Sequence, residues 1–408
     1  MSQYLRLKYI FIFYAIIRIP LHTLVINIDG KGRIYTILLL LFIIYMIISR
    51  KNKKKLSKGP FLIWRIWVIY AFINTLIHGM NFNMTYWQFF TYLAAPLVVI
   101  YLINIEEKID YKRLFTIITT AAYINILIIS IFENTRYFIG QGYRLGETLN
   151  ANEIGINALL CFYLLYQNFM WKKLKFRTFI ILIIIPLYVI FSTGSRSAFL
   201  PLILIFISHF IIIRRKNLFG TLAIILIGIL FLNLATKYIE KKSIVINRLR
   251  ITKEEGRKIA HTGTLVDNLG GRAVYFLYGY EIFKSHPIWG IGLGNYRFFN
   301  PISSQPNHVE IMIQLSELGI IGFSLFFMFN FWIAHKLCYC WKYLKHQRRQ
   351  IETYILGFLV VVSLSFTTYT YSHILIFTLY GITIAYIFEA EKLIRKGYQL
   401  IQTSKIGK

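Results

Sequence analysis

Three short polar stretches in an otherwise apolar chain contain the residues that could do chemistry. Arg196 lies in the run Ser-Thr-Gly-Ser-Arg-Ser at 192–197, Arg272 follows a pair of glycines, and His308 precedes a long apolar stretch. An arginine guanidinium can hold phosphate oxygens through two parallel hydrogen bonds. A histidine is suited to act as a general base near neutral pH. These residue types indicate a site that binds a phosphate and accepts a proton.

Each stretch also has a purely structural interpretation. Serine and glycine are typical of a tight turn, beside which Arg196 can extend its charged group to the membrane surface. Aromatic residues recur at helical spacing after Arg272, which predicts a helix lying against the membrane and favours packing over sugar stacking. His308 can simply be a hydrogen-bonding residue at a helix start. Gly319 and Gly322, about three turns later, would let a neighbouring helix pack closely beneath it. The glycines at 290, 292 and 294 are expected to form turns.

Carboxylates are scarce, and this limits the chemistry. The chain has only three aspartates, Asp29, Asp110 and Asp267, and no two of them are close in sequence. It also lacks GxxxxGK[ST], HExxH and GxSxG motifs. Metal-dependent transfer from a nucleotide sugar, ATP-driven chemistry and zinc hydrolysis are therefore disfavoured. We expect no metal and no cofactor, so that arginine and lysine neutralise any bound phosphate.

The composition is that of a polytopic membrane protein. Of the 408 residues, 57% are hydrophobic and 15% are charged, whereas soluble domains have about 25% charged residues. Apolar runs of about 17 to 25 residues can cross the bilayer as helices. We predict an all-α fold with about twelve such helices, at 9–28, 33–49, 61–78, 86–104, 114–132, 153–170, 178–193, 198–213, 218–236, 309–333, 351–371 and 373–390.

The distribution of basic residues predicts the orientation. With the N-terminus in the cytoplasm, the cytoplasmic segments hold 28 Lys and Arg, and the short outside connections hold five. This bias places both termini inside. The chain is thus divided into nine helices in 1–236, a large extracytoplasmic loop at 237–308, three helices in 309–390 and a basic cytoplasmic tail at 391–408. The net charge of +29 is mostly explained by topology, and no nucleic-acid partner is expected.

The rule that places basic residues in the cytoplasm does not explain why the large loop is basic. Residues 237–308 carry eleven basic and five acidic side chains, and translocated loops of this length largely escape the orientation rule. The excess is either incidental charge on a solvated loop or a site for an anionic group outside the cytoplasm.

The order and spacing of the motifs resemble the O-antigen ligase and O-antigen polymerase superfamily, which assembles bacterial envelope polysaccharides. The family's histidine followed by GxxG is matched by His308, Gly319 and Gly322. Ligases usually have a small polar or acidic residue after the histidine, and Thr or His after GxxG. Here these positions are Val309 and Phe323, which favours the polymerase subtype.

Two further motifs carry the resemblance. The family's small polar turn with arginine is matched by Ser195 and Arg196. Its loop arginine is matched by Arg272, and the glycine-containing turn that follows is matched by His-Pro-Ile-Trp-Gly-Ile-Gly at 286–292. The resemblance implies a GT-C-like, metal-independent glycosyltransferase that takes a glycan from undecaprenyl pyrophosphate. It also implies that the two arginines bind the pyrophosphate and that His308 assists deprotonation of the attacking hydroxyl.

The function implied first is polymerisation of lipid-linked repeat units into an O-antigen, capsule or exopolysaccharide. The alternative is ligation of the glycan to lipid A core, a wall polymer or a protein. A third hypothesis is a lipid-linked oligosaccharide flippase or an anion transporter. A chain-length regulator and a flippase of the same pathway are candidate partners. The expected location is the bacterial cytoplasmic membrane, with the site on the extracytoplasmic side.

Overall fold

The computed structural model describes residues 59–78, 111–138, 151–193, 195–209, 271–299, 309–368 and 374–406. The predicted spans at 9–28, 33–49, 86–104 and 218–236 lie outside these residues, and so do residues 237–270 of the large loop. The count of twelve helices and the two cytoplasmic termini therefore stay predictions.

The described residues are helical, and no strand occurs among them. This confirms the predicted all-α class for this part of the chain. A 3-10 turn at Lys345–Gln347 joins two of the helices. The α-helices are α1 Pro60–Ile77, α2 Tyr111–Phe138, α3 Ala151–Met170, α4 Phe176–Thr193, α5 Arg196–Ser208, α6 Gly271–Ser285, α7 Tyr296–Phe299, α8 Glu310–Tyr343, α9 Arg348–Ser365 and α10 Ile374–Ile406.

Within the described part of the chain, four helices are long and apolar enough to cross a membrane. They are Pro60–Ile77, Phe176–Thr193, Glu310–Tyr343 and the part of α2 at Leu114–Ile131. Eighteen residues at 1.5 Å each give a helix of about 27 Å, close to the hydrocarbon thickness of a bilayer. Each of the four overlaps a predicted span, which supports assignment as a membrane protein.

Helix α3 lies at the centre of the described bundle. Every residue at 154–168 is buried, and α3 packs against α2, α4, α5, α9 and α10. A helix that is apolar on all sides is expected in the interior of a helical protein. Its neighbours expose apolar side chains such as Ile181 of α4 and Leu200 of α5, as expected for helices that face lipid.

A second group of helices packs around α8. Trp64 and Trp67 of α1 stack on each other at 4.7 Å between ring centroids, and Trp64 also contacts Phe329 of α8 and Phe377 of α10. Helix α6 packs along α8 as well. The elements that contain two of the predicted motifs, α6 and α8, are therefore direct neighbours.

Two helices differ from the sequence prediction. Helix α10 continues to Ile406, so that it includes most of the segment predicted as a separate basic tail at 391–408. Helix α8 is interrupted at Gly319, where φ is 64° and ψ is −168°. The apolar run was predicted as one continuous helix. The cause of the break is a contact between Gly319 and the turn that follows α6.

Candidate functional site

The break in α8 is closed by the turn at 286–294, which follows α6. A helix end leaves backbone carbonyl and amide groups without intrahelical partners. At this break the Ile291 amide donates to Ser316 O at 3.1 Å, and the Gly292 amide donates to Glu317 O at 2.8 Å. The Ile320 amide donates to Pro287 O at 2.8 Å. The turn thus replaces hydrogen bonds that an unbroken helix would make.

Glycine is required on both sides of this contact. Gly319 and Gly290 have φ values of 64° and 71°, which side-chain-bearing residues rarely adopt. A Cβ on Gly319 would collide with the Ile288 carbonyl, and one on Gly290 would collide with the Glu317 carbonyl. Two backbones can approach this closely only where neither has a side chain.

Helix α1 provides the remaining partners. The Tyr70 hydroxyl donates to Leu318 O at 2.7 Å, and Asn74 Nδ2 donates to Trp289 O. The Leu293 amide donates to Thr75 Oγ1 at 3.1 Å. Polar side chains of α1 therefore bond to both the broken helix and the turn, and hold the two together.

A buried carboxylate organises the end of the turn. Glu317 is 2% exposed and accepts hydrogen bonds from the amides of Gly294, at 2.7 Å, and Tyr296, at 3.2 Å. The Tyr296 hydroxyl donates to Tyr275 O of α6 at 3.0 Å. Burial raises the pKa of Tyr296 above its ordinary value, so that its hydroxyl keeps the proton that it donates. Glu317 is thereby linked to the first half of α6.

The two glycines of the GxxG motif have different roles. We expected both to allow close packing of a neighbouring helix. This is right for Gly322, where an added Cβ would lie 3.2 Å from Tyr70 Cε1 of α1. It is wrong for Gly319, which breaks the helix and contacts the turn at Ile288 instead.

The Ser-Thr-Gly-Ser-Arg-Ser stretch connects α4, which ends at Thr193, to α5, which begins at Arg196. Ser195 is 1% exposed and its hydroxyl donates to Asn152 Oδ1 of α3 at 3.2 Å. A Cβ on Gly155 would lie 2.6 Å from Ser195 Cβ, so the turn rests directly on α3. Ser195 therefore fixes the start of α5, whose first residue is Arg196.

The predicted chemical groups themselves lie at the edges of what the structure describes. The side chains of Arg196 and Arg272, and the whole of His308, are outside the described residues. Arg272 is the second residue of α6, and His308 comes just before Val309, the N-cap of α8. Helices α6 and α8 pack on each other and meet at the Gly319 break. The contacts described for Ser195, by contrast, are with α3.

Sequence analysis missed several residues that hold this site together. Glu317 could have been noticed as an ionisable residue inside an apolar span, a position that is usually functional. Tyr70, Asn74 and Thr75 gave no such signal, because their role depends on partners more than 200 positions away. Among the described residues, no three His, Cys, Asp or Glu side chains are grouped so that they could hold a metal.

Residues 179–327 match the family model described as O-antigen ligase. This stretch contains every motif on which the predicted resemblance rests, and the match confirms that resemblance. No curated protein matches the chain.

The Gly319 contact can be tested by Gly319→Ala. The added methyl would collide with the Ile288 carbonyl at an unfavourable φ, so we expect a loss of about 2 to 4 kcal/mol in stability. The measurement is the midpoint of thermal unfolding in detergent, with Ser324→Ala as control because Ser324 is exposed on the same helix. Equal midpoints for the two variants would contradict the close contact.

Proposed function

We propose that this protein, whose residues 179–327 match the family model described as O-antigen ligase, polymerises polyprenyl-pyrophosphate-linked repeat units into an envelope polysaccharide. The glycan of one lipid-linked unit is transferred to the non-reducing end of another. The reaction is a metal-independent glycosyl transfer at the extracytoplasmic side of the cytoplasmic membrane.

One observation carries the proposal. The family match covers the three motifs, and within it the 286–294 turn is bonded to the Gly319 break. Arg272 is the second residue of α6, and α8 begins just after His308, so this contact joins the two helices that adjoin the proposed groups. A rigid connection of this kind is what a catalytic site needs, because small displacements of its groups reduce the rate strongly.

The chemistry follows from the charges that develop in the reaction. The hydroxyl oxygen of the acceptor sugar attacks the anomeric carbon of the donor, and the bond from that carbon to the pyrophosphate oxygen breaks. Negative charge builds up on the leaving pyrophosphate, where Arg196 and Arg272 stabilise it. His308 accepts the proton of the attacking hydroxyl. A single displacement inverts the anomeric centre.

The residue after the histidine supports polymerase over ligase. Val309 is the N-cap of α8, is 4% exposed and has a hydrocarbon side chain, which contains no hydrogen-bond acceptor. The small polar or acidic residue usual in ligases could accept a hydrogen bond at such a position. Phe323, at the second position that departs from the ligase pattern, stacks on Phe327 at 6.2 Å. Ligation remains the second candidate, because the family description itself names it.

Transport is disfavoured by the way the broken helix is used. Transporters often bind solutes at the open ends of discontinuous helices. In α8 the backbone groups of Ser316, Glu317 and Ile320 at the break are already bonded to the turn. These groups are not available to a solute.

Polymerase and ligase activities give different products in a strain that lacks the gene. Loss of a polymerase leaves single repeat units attached to their final acceptor, and this is the expected pattern on a gel of the envelope glycan. Loss of a ligase strands long chains on the lipid carrier. Normal chain length with normal attachment would contradict both functions.

The proposed roles of the charged residues are tested by complementing the same strain with variants. Arg272→Lys keeps the charge but loses the two-pronged geometry, and His308→Gln removes the base. We expect each to reduce polymer formation by about 100-fold or more, the usual effect of losing a group that stabilises developing charge.

A matched control separates this effect from a general loss of positive charge. Lys284→Ala removes one charge from the same helix as Arg272, at an exposed position where Lys284 pairs with Glu281. We expect full polymer formation with this variant. If Arg272→Lys, present in the membrane at the normal level, also gave full polymer formation, the pyrophosphate role of Arg272 would be refuted.

A further inference from the structure

We propose that the 286–294 turn is a re-entrant element, inserted into the hydrocarbon region of the bilayer, where Ile288 and Trp289 contact lipid acyl chains. The predicted topology places this segment in an extracytoplasmic loop. The contacts with α1 and α8 determine instead how far it enters the membrane.

Helix α1 gives the depth of the turn. Its eighteen residues, Pro60–Ile77, span about 27 Å and must all lie in the hydrocarbon region if α1 crosses it. The Trp289 carbonyl accepts a hydrogen bond from Asn74 and lies 3.3 Å from the Tyr70 hydroxyl. Asn74 and Tyr70 lie three and seven residues before the end of α1, which corresponds to about 5 and about 10 Å. The tip of the turn is therefore about 5 to 10 Å inside the nearer end of this span.

Helix α8 gives a second estimate of the depth. Trp332 of α8 lies 3.6 Å from where a Cβ on Gly59 would be, so Trp332 is level with the start of α1. From Trp332 to Gly319 there are thirteen residues, or about 20 Å of helix. A hydrocarbon region of about 30 Å extends about 10 Å beyond that point. Gly319, which contacts Ile288, thus lies inside the bilayer.

From Gly290 onward, the backbone of the turn meets the requirement for such a position. Irregular backbone at membrane depth is tolerated only where its polar groups are bonded to the protein. Every amide from Gly290 to Tyr296 donates a hydrogen bond to a backbone or side-chain oxygen of the protein. A loop surrounded by water would not need this degree of satisfaction.

The surface of the turn continues the lipid-facing surface of α1. Residues Ile66, Ile69, Ile73 and Ile77 of α1 are exposed and lie on one helical face. Tyr70 is on that side, four residues after Ile66, and its ring stacks on the Trp289 ring at 6.1 Å. Ile288 and Trp289 are each 54% exposed. These apolar side chains extend the exposed face of α1, which identifies acyl chains as their partner.

The charged pair on α6 lies at the boundary between membrane and water. Glu281 and Lys284 form an exposed ion pair at 3.0 Å, and Lys284 also lies over the Tyr280 ring at 4.6 Å. Lysine and tyrosine are frequent at the boundary between membrane and water. The chain therefore passes from an aqueous boundary to the hydrocarbon region between Glu281 and Ile288.

Spin labels can test whether the depth in the membrane changes between Glu281 and Ile288. The background is the full chain with Cys338→Ser, since Cys338 is exposed whereas Cys161 and Cys340 are buried. Single Ile288→Cys, Glu281→Cys and Ile320→Cys variants are labelled in vesicles of phosphatidylethanolamine and phosphatidylglycerol. Ile320 is an exposed residue of α8 beside the break and is the lipid-facing reference. Collision rates with oxygen, which is concentrated in lipid, and with a water-soluble nickel chelate are then compared.

We expect the ratio of oxygen to nickel collisions at position 288 to match that at position 320 and to be several-fold higher than at position 281. A ratio at 288 as low as at 281 would place the turn in water and overturn the proposal. Protection of position 288 from both reagents would show that protein covers it, which would also overturn the proposal. Because the readout is a collision rate, the outcome does not depend on the proposed glycosyl transfer.

Discussion

The architecture of this protein depends on one contact, in which the backbone at Gly290 lies against the backbone at Gly319. A break in a membrane helix is costly unless other groups bond to the freed carbonyls and amides. The 286–294 turn does so through its own backbone, with Tyr70 of α1 completing the set. Glycine on both sides makes the approach sterically possible. Without this contact, α8 would have no reason to be interrupted and the end of α6 would lose its backbone connection to α8.

The proposed positions of Arg272 and His308 depend on this contact. Helix α6 contains Arg272, and α8 begins directly after His308. Glu317 strengthens the connection because its buried carboxylate bonds to the amides that follow the turn, and Tyr296 continues the chain of hydrogen bonds to α6. Arg196 is positioned separately, by the packing of Ser195 against Asn152 and Gly155 of α3. These fixed contacts are physically reasonable, since charged groups at a reactive centre need neighbours that do not move.

The sequence was sufficient to predict features that depend on local chemistry. Apolar runs predicted the helices, as at Pro60–Ile77, and the spacing of Gly290, Gly292 and Gly294 predicted a turn that the positive φ values confirm. The break at Gly319 could not be predicted, because Leu-Gly-Ile-Ile-Gly within an apolar run is compatible with a continuous membrane helix. Its cause is a partner about 30 residues earlier in the chain. The same holds for Glu317 and Asn74, whose roles exist only when distant segments meet.

The bonding of the 286–294 turn to the break in α8 is tested most directly by hydrogen exchange of the protein in lipid nanodiscs. The amides of Ile291, Gly292, Leu293 and Gly294 donate to groups of α8 and α1. A peptide covering residues 290–296 is therefore predicted to exchange as slowly as one from the first turns of α8. Complete exchange of that peptide within seconds, at the rate of an unstructured loop, would contradict the account.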